Sequence, residues 1–329
     1  LSYRGYSIEE LAQKSTFEET SYLLLFGELP TSAQLKEFTS KVTEYRDLPE
    51  ELVLILKALP KHTRPMDVLQ MAVSSLGTFY DLEVSPEKVK GKKYDDEYFL
   101  NTSAALIGAL GSIVAAWHRI RNGDEPISSK PDCTYAENFL HILGAEKITP
   151  LMTRIMDATL VLHGEHTINA STFTAMVTSS TLANASQVVA SAIGSLSGPL
   201  HGGANEKVIA MLQKIESKEE IRPWLDETLK AKNVVWGMGH REYSVKDPRA
   251  NILTEMVQEL FEEREGGVTD IFEKAIELEK ACEEKLSHKG VYPNVDFYSG
   301  ILYKEMDIPT DIFTPIFAMS RVSGWLAHW

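Results

Sequence analysis

The chain has 329 residues, of which 43% are hydrophobic and 24% charged, and its formal net charge is −14. This balance is typical of a folded globular protein with one large or two coupled domains. The negative charge argues against nucleic acid or an anionic membrane as a partner, and no apolar run reaches the roughly 18 residues of a membrane span. An anionic ligand would therefore have to be bound by a local cluster of cations.

Signals for helix starts are dense near the N-terminus. Residues 7–10 (SIEE) and 15–18 (STFE) match the sequence motif of a capping box. Apolar residues then recur at helical spacing along most of the chain, in the segments 33–45, 50–59, 66–80, 99–122, 135–143, 150–162, 171–195, 206–214, 222–231, 249–265 and 270–287. Alternating strand patterns are nearly absent, so the sequence predicts an all-α fold.

The segment 171–195 differs from the others in composition, because alanine, serine and threonine dominate it. Such small side chains permit close packing, which predicts a central helix surrounded by others. The sequence SGPLHGG at 197–203 ends this segment and separates it from charged amphipathic helices. We predict two domains: a large helical domain formed by 1–204 plus 306–329, and a small helical domain formed by 205–305.

Two cysteines, Cys133 and Cys282, are far apart and match no metal-type or redox-type spacing. This usage favours a reducing cytoplasm. The chain starts at Leu1 and stops at Trp329 within an apolar helical run, so we expect further residues at both ends.

His201 is the first candidate for chemistry. Gly202 and Gly203 open space around it, and Pro199 restricts the turn before it. The alternative is a plain helix–helix turn that contains an incidental histidine.

His240 is the second candidate and follows the sequence WGMG at 236–239. A dinucleotide site is rejected here, because the third glycine and the βαβ context of that motif are missing. The loop backbone could instead wrap a flat ring or approach an anion. Arg249 follows Pro248 in the first turn of a predicted helix, where backbone N–H groups already favour anions.

Asp296 is the third candidate. Asn294 has the character of an N-cap, which puts Asp296 in the first turn of a helix. Val295, Phe297 and Tyr298 would desolvate the carboxylate and raise its basicity. The alternative is that Asp296 only complements the helix dipole.

His163 and His166 lie three residues apart, a spacing that a metal site could use. No third ligand follows at a suitable spacing, and Gly164 weakens the helix between them. We therefore predict no metal site.

In their residues and their order along the chain, these motifs resemble those of the citrate synthase family. The resemblance covers nearly the whole chain, from the sequence YRGYSIEEL at 3–11 onward. Residues 163–172, 294–300 and 318–329 look most like bacterial, cyanobacterial-like members. The resemblance implies a transferase of the tricarboxylic acid cycle that condenses acetyl-CoA with oxaloacetate to give citrate. It also implies a homodimer or larger homo-oligomer. In it the large domain would mediate dimerisation, and the small domain would bind CoA and close over the substrates.

The resemblance carries roles onto individual residues. His201 corresponds to the histidine that hydrogen-bonds the acyl carbonyl during enolisation, Asp296 to the base that takes the methyl proton, and His240 to the histidine that polarises the ketone. The residues that correspond to ligands of the oxaloacetate carboxylates are His166, Arg249 and Arg321.

The same resemblance implies no permanently bound cofactor, with acetyl-CoA acting as co-substrate. The loop that embraces the CoA adenine corresponds to Val234, Val235, Trp236, Gly237, Met238 and Gly239. Arg241 and Lys246 are candidates for the CoA phosphates, because Ser244 stands where relatives commonly carry Lys or Arg. Relatives also contribute an arginine from a C-terminal tail beyond the position of Trp329, and Arg64 replaces a frequent histidine.

Two alternatives remain open from the sequence. A 2-methylcitrate synthase would use the same machinery on propionyl-CoA and differ only in the volume around the acyl methyl. A non-catalytic helical scaffold would keep the fold without the reaction, and the joint presence of His201, His240 and Asp296 argues against it.

Overall fold

The computed structural model describes residues 1–85, 89–90, 93–240, 243, 245–263 and 267–329. These residues form two compact units. The larger unit comprises Ser2–Gly202 and Thr314–Trp329; the smaller unit comprises Gly203–Phe313, and Leu1 is assigned to it. Arg241 and Ser244, both of interest in the sequence, lie outside the described residues.

Helices dominate both units. The larger unit contains α1 (Ile8–Lys14), α2 (Phe17–Phe26), α3 (Ser32–Glu44), α4 (Glu50–Ala58), α5 (Pro65–Ser75), α6 (Asp96–Arg121), α7 (Tyr135–Leu143), α8 (Pro150–His163), α9 (Ala170–Ser179), α10 (Ala185–Leu196) and all but the first residue of α16 (Phe313–His328). The smaller unit contains α11 (Ala204–Gln213), α12 (Ile221–Lys230), α13 (Pro248–Glu263), α14 (Asp270–Leu286) and α15 (Val295–Glu305). The strands described are two short antiparallel hairpins, β1 (Ser2–Tyr3) with β2 (Tyr6–Ser7) and β3 (Val89–Lys90) with β4 (Lys93–Tyr94). The prediction of an all-α fold is confirmed.

The capping signal at residue 7 is confirmed, whereas the one at 15–18 is displaced by one residue, because Thr16 and not Ser15 caps α2 by accepting from the Glu19 amide at 3.2 Å. The Ser7 side chain accepts a hydrogen bond from the Glu10 amide at 3.1 Å, and the Thr31 hydroxyl accepts one from Gln34 at 3.3 Å. The Gln34 side chain in turn accepts from the Thr31 amide, which completes a capping box. Each such bond satisfies an N–H group that has no partner inside its own helix.

The prediction of one long helix over 171–195 is wrong. The segment forms α9 and α10, separated by a turn in which Leu182 adopts a φ of 60°. Asn184 then caps α10 by accepting from the Gln187 amide at 3.1 Å. A local N-cap therefore starts a second helix inside this segment, although its composition alone shows no break. The two helices pack against each other, as their small side chains permit.

The centre of the larger unit is α6. Among the described residues it is the one helix long and apolar enough to cross a membrane, and 83% of its apolar window is buried inside the protein. Side chains that contact protein on nearly every side mark a core helix. Its apolar character is therefore explained by packing within the larger unit.

The boundaries of the units lie after Gly202 and after Phe313. The second boundary falls eight residues beyond the predicted return at residue 306. The reason is local packing: the Phe313 ring lies 5.2 Å from the Tyr303 ring of α15, and the short helical turn at Thr310–Ile312 packs on α11 and α15. The roles predicted for the two domains stay predictions.

Candidate active site

In the larger unit, His201 lies in a tight turn after α10. The Gly202 amide donates to the carbonyl of Leu196 at 3.0 Å. A Cβ atom at position 202 would lie 2.2 Å from that same carbonyl oxygen. The turn therefore requires glycine at 202, which explains physically why glycine follows this histidine.

The hydrogen bonds of His201 determine its tautomer. The Ser171 backbone amide lies 3.2 Å from His201 Nε2, and the Ser171 hydroxyl lies 2.8 Å from the same nitrogen. A backbone N–H can only donate, so Nε2 is the acceptor and the ring proton of the neutral imidazole resides on Nδ1. The ring can thus donate from Nδ1 without carrying a positive charge.

Ser171 is held in turn by its own neighbours. It occupies the first turn of α9, where the amide has no partner within the helix. The Trp325 indole of α16 donates to the Ser171 hydroxyl at 3.2 Å, and Ser171 donates to the side chain of Asn169 at 2.8 Å. Trp325 and Asn169 therefore fix the orientation of the Ser171 hydroxyl, which lies beside His201 Nε2. Neither residue was a candidate in the sequence.

The other predicted anion ligands of the larger unit are buried. His166 is 7% exposed and Arg321 is 2% exposed. Arg321 Nε donates to the carbonyl of His163 at 2.7 Å, and its guanidinium carbon lies 4.8 Å from the centre of the Phe317 ring. A buried guanidinium attracts a carboxylate strongly, because little water screens the interaction.

In the smaller unit, the loop 234–240 depends on two glycines with positive φ, 79° at Gly237 and 85° at Gly239. A Cβ atom at Gly237 would lie 2.7 Å from Val208 and 2.8 Å from Phe297. The loop therefore approaches α11 and α15 too closely for any larger residue. Val235 is buried whereas Val234 is 61% exposed, so the loop presents only part of its surface to solvent.

Lys207 of α11 is a residue that sequence reasoning missed. Its ammonium nitrogen lies 3.9 Å from the centre of the Trp236 ring, well within cation–π range. The contact places a positive charge beside the loop predicted to embrace adenine. Nothing in the spacing of α11 marks this lysine, because the contact forms only when the loop folds back.

Arg249 lies in the first turn of α13, as predicted, and is buried together with Asp247. Arg249 Nη2 lies 2.8 Å from Asp247 Oδ2, and Nε lies 3.1 Å from Oδ1. Burial alone would raise the pKa of Asp247, but the charge and hydrogen bonds of Arg249, with a smaller contribution from His240, lower it. Because Asp247 partly neutralises Arg249, the guanidinium would attract a bound carboxylate less strongly than an unpaired arginine would. The His240 ring packs against Tyr243 at 4.7 Å.

Asp296 begins α15, as predicted, and its amide donates to Asn294 Oδ1 at 3.0 Å. Val295, Phe297 and Tyr298 are buried, at 4% exposed or less, whereas Asp296 itself is only partly buried. The first turn of α15 is therefore packed into the smaller unit, with Asp296 at a position that is still partly accessible. The predicted increase in its basicity stays a prediction.

Lys246, proposed from the sequence as a phosphate ligand, forms an ion pair with Glu279 at 2.5 Å. The other oxygen of Glu279 accepts a hydrogen bond from the hydroxyl of Tyr298. A CoA phosphate would therefore have to compete with Glu279 for this lysine. Arg241, the other candidate, lies outside the described residues.

No group of three or more His, Cys, Asp or Glu side chains is arranged to hold a metal ion in the part of the chain that the structure describes. His163 Nδ1 donates to the carbonyl of Thr159 at 2.8 Å, as a helical histidine commonly does. His163 therefore has a structural role in α8, and its spacing to His166 needs no metal to explain it.

Comparisons with known proteins agree with one another. The model of the citrate synthase C-terminal domain matches residues 1–329. A citrate synthase of Synechocystis is 46% identical over 100% of this chain and 80% of its own length. A 2-methylcitrate synthase of Shewanella oneidensis is 38% identical over 100% of this chain and 84% of its own.

Solved structures give the same result. Citrate synthase from Pyrobaculum aerophilum superposes with a TM-score of 0.92 at 36% identity and covers 99% of this chain and 81% of that one. A ternary complex of citrate synthase from Thermoplasma acidophilum with carboxymethyl coenzyme A and oxaloacetate gives a TM-score of 0.88 at 31% identity, over 98% and 84%.

The fold and these matches define an all-helical transferase. The chain belongs to the citrate synthase family, which confirms the resemblance seen in the sequence.

Proposed function

We propose that this chain condenses acetyl-CoA with oxaloacetate and water, giving citrate and free CoA. The observation that carries the proposal is the tautomer of His201, whose Nε2 accepts from the Ser171 amide at 3.2 Å. A thioester methyl group is a very weak acid, so its proton can be removed only if the oxygen of the forming enolate is stabilised at once. A neutral imidazole that donates from Nδ1 suits this task.

In the proposed reaction the Asp296 carboxylate takes a proton from the acetyl methyl while His201 donates to the thioester oxygen. The enol carbon then attacks the ketone carbon of oxaloacetate, and His240 donates to the ketone oxygen as it becomes an alcohol. Water finally cleaves the thioester of the citryl-CoA intermediate, which releases CoA and makes the condensation effectively irreversible. No permanently bound cofactor is needed for any of these steps.

Oxaloacetate is a dianion, and the chain carries a net charge of −14, so its binding requires local cations. We propose that Arg249 and Arg321 supply them and that the His166 imidazole adds a hydrogen-bond donor. The burial of all three side chains supports this role, because a charge-assisted hydrogen bond is stronger away from water.

We propose that acetyl-CoA binds through the loop 234–239, with Lys207 and Lys246 near its phosphates. The close contact between Lys207 and Trp236 supports a basic surface at this loop. The complex reported for the Thermoplasma acidophilum enzyme contains a coenzyme A derivative together with oxaloacetate, which also supports this pair of ligands.

Release of free CoA tests the proposal directly. Purified enzyme would be assayed with oxaloacetate and either acetyl-CoA or propionyl-CoA. We expect turnover with both and a clear preference for acetyl-CoA in kcat/KM. A large preference for propionyl-CoA would instead identify a 2-methylcitrate synthase, a possibility kept by the full-length similarity to the Shewanella enzyme.

Asp296→Asn serves as the matched negative control, because it keeps the shape of the side chain and removes the base. We expect the variant to bind oxaloacetate in calorimetry and to lose at least about 100-fold in kcat. Unchanged turnover would refute the role of Asp296, and absence of turnover in the unmodified chain would favour a non-catalytic scaffold.

We further propose that the chain forms a homodimer or a larger homo-oligomer. Apolar side chains on and beside α9 are strongly exposed: Phe173 and Leu182 at 60%, Ile168 at 60% and Val177 at 52%. Phe173 and Val177 are four residues apart on α9 and so share one face, and exposed apolar side chains on one helix face favour association with another protein surface. Light scattering of Phe173→Glu should show loss of the oligomer, whereas Val268→Glu, at a residue 51% exposed in the smaller unit, should leave it intact.

A cytoplasmic location remains our proposal from cysteine usage. Cys133 and Cys282 are both free thiols, which suits a reducing compartment. Fractionation of cells that express the full-length protein tests it, and recovery outside the soluble cytoplasmic fraction would refute it.

A further inference from the structure

We infer that Asn294 is a positioning residue that holds the CoA-binding loop and the helix of the base in one fixed arrangement. The inference rests on the function proposed above. It adds a residue that neither touches the reacting atoms nor belongs to the loop, and whose side chain contacts both.

Besides the bond that its backbone carbonyl accepts from the Phe297 amide at 3.2 Å, Asn294 makes three hydrogen bonds within the smaller unit. Its backbone amide donates to the carbonyl of Gly237 at 2.9 Å. Its side-chain amide donates from Nδ2 to the carbonyl of Gly239 at 2.8 Å. Its side-chain oxygen Oδ1 accepts from the backbone amide of Asp296 at 3.0 Å. One side chain thus joins the loop to the first turn of α15.

The backbone also links these two segments. The Gly239 amide donates to the carbonyl of Tyr292 at 2.7 Å, and Met238 and Pro293 form an antiparallel bridge. Backbone links are set by the fold and survive substitution. The Nδ2 bond to Gly239 can be removed alone, which makes the inference testable.

The chemistry of the site explains why asparagine is needed. The position requires an acceptor for the Asp296 amide and a donor for the Gly239 carbonyl on the same short side chain. Aspartate supplies only acceptors. Serine caps helices well but is too short to reach Gly239 as well.

The Asn294 side chain affects activity through the two groups that it bonds, the Gly239 carbonyl of the loop and the Asp296 amide of α15. Gly237 and Gly239 have positive φ, and because glycine adopts many backbone conformations at similar cost, hydrogen bonds to neighbouring groups select this one. Asp296 must be placed within a few tenths of an ångström of the methyl proton for the transfer to be efficient. Loss of the Nδ2 bond should therefore weaken CoA binding first, and loss of both side-chain bonds should also slow the proton transfer.

Three variants separate these effects. Asn294→Ser and Asn294→Asp keep an acceptor for the Asp296 amide and lose the donor, and Asn294→Ala loses both. We expect the Ser and Asp variants to raise the KM for acetyl-CoA about 2- to 12-fold, as loss of one hydrogen bond implies, with a smaller change in kcat. We expect Asn294→Ala to show the same rise in KM together with a decrease in kcat of about 10-fold or more.

Asn184→Asp is the matched control. Asn184 lies in the larger unit and also caps a helix with its side-chain oxygen, which accepts from the Gln187 amide of α10 at 3.1 Å. We expect it to alter the melting temperature slightly and to leave both kinetic constants within twofold. A purely structural role for Asn294 would lower the melting temperature of its variants without this split between KM and kcat, and that result would overturn the inference.

Titration of CoA alone into each protein separates this inference from the proposed function. If the unmodified chain fails to turn over acetyl-CoA and oxaloacetate, the proposed function fails. If it turns over both and Asn294→Ser binds CoA as tightly as the unmodified chain, the inference alone fails. A loss confined to Asn294→Asp would trace to the added charge and would also overturn it.

Discussion

The two units hold their candidate functional groups by different forces. In the larger unit, His201 is oriented by a neutral hydrogen bond from the Ser171 amide, and Trp325 donates to the hydroxyl of the same serine. In the smaller unit, Arg249 is held by the buried charge of Asp247. Neutral hydrogen bonds fix which ring nitrogen carries the proton and do not respond to pH while the histidine stays neutral. An ion pair keeps a guanidinium charged in a buried place, and its contribution depends on pH.

The largest effect on activity should come from His201, which is held by neutral hydrogen bonding. Replacing His201 with Ala removes the donor to the thioester oxygen, so we expect kcat to fall by about 10² to 10⁴. CoA release under saturating substrates measures this. A decrease below about tenfold would show that the larger unit does not supply the enol-stabilising donor. The melting temperature should change little, because His201 is only partly buried.

The ion pair of the smaller unit should dominate stability. Asp247→Asn leaves the Arg249 charge buried without its partner, so we expect a loss of about 3–5 kcal/mol in the free energy of unfolding at pH 7. Because the pKa of Asp247 is lowered in the folded protein, its contribution is present above the ordinary carboxyl pKa of about 3.9 and disappears as pH falls through the lower folded value. Urea unfolding should therefore show the two proteins converging at acid pH.

Asp226→Asn provides the control for that measurement. Asp226 pairs with Lys285 at the surface and is 61% exposed. An exposed pair contributes only about 0–1 kcal/mol. A loss at Asp247 no larger than the loss at Asp226 would contradict the view that charge holds this part of the smaller unit.

The smallest effect concerns the support of His201. Trp325→Phe removes the indole donor to Ser171 and keeps an aromatic ring, so one hydrogen bond of about 0.5–1.5 kcal/mol is lost. We expect kcat to decrease about 2- to 12-fold, with the KM for acetyl-CoA unchanged. Trp117→Phe, at another buried tryptophan, should lower the melting temperature alone. Equal kcat values for the two variants would show that Trp325 does not help to position His201.

Much of the fold could be predicted because its signals are local. Helical periodicity and the caps at Ser7, Thr31 and Asn294 depend on residues within one turn of each other. The division of 171–195 into α9 and α10 was missed, since Asn184 begins a new helix inside a continuous run of small residues. The same local reasoning placed Arg249 and Asp296 in first turns, where they lie.

By itself the sequence determined the all-helical class, the family and the candidate residues, because periodicity, caps and motif order are written along the chain. Only the tertiary structure decided what those residues contact. Three contacts depend on how separate elements pack: the hydrogen bond from the Ser171 amide to His201, the ion pair of Arg249 with Asp247, and the contact of Lys207 with Trp236. Hydrogen bonds and ion pairs act over a few ångströms, and spacing along a chain does not specify those distances between separate helices and loops.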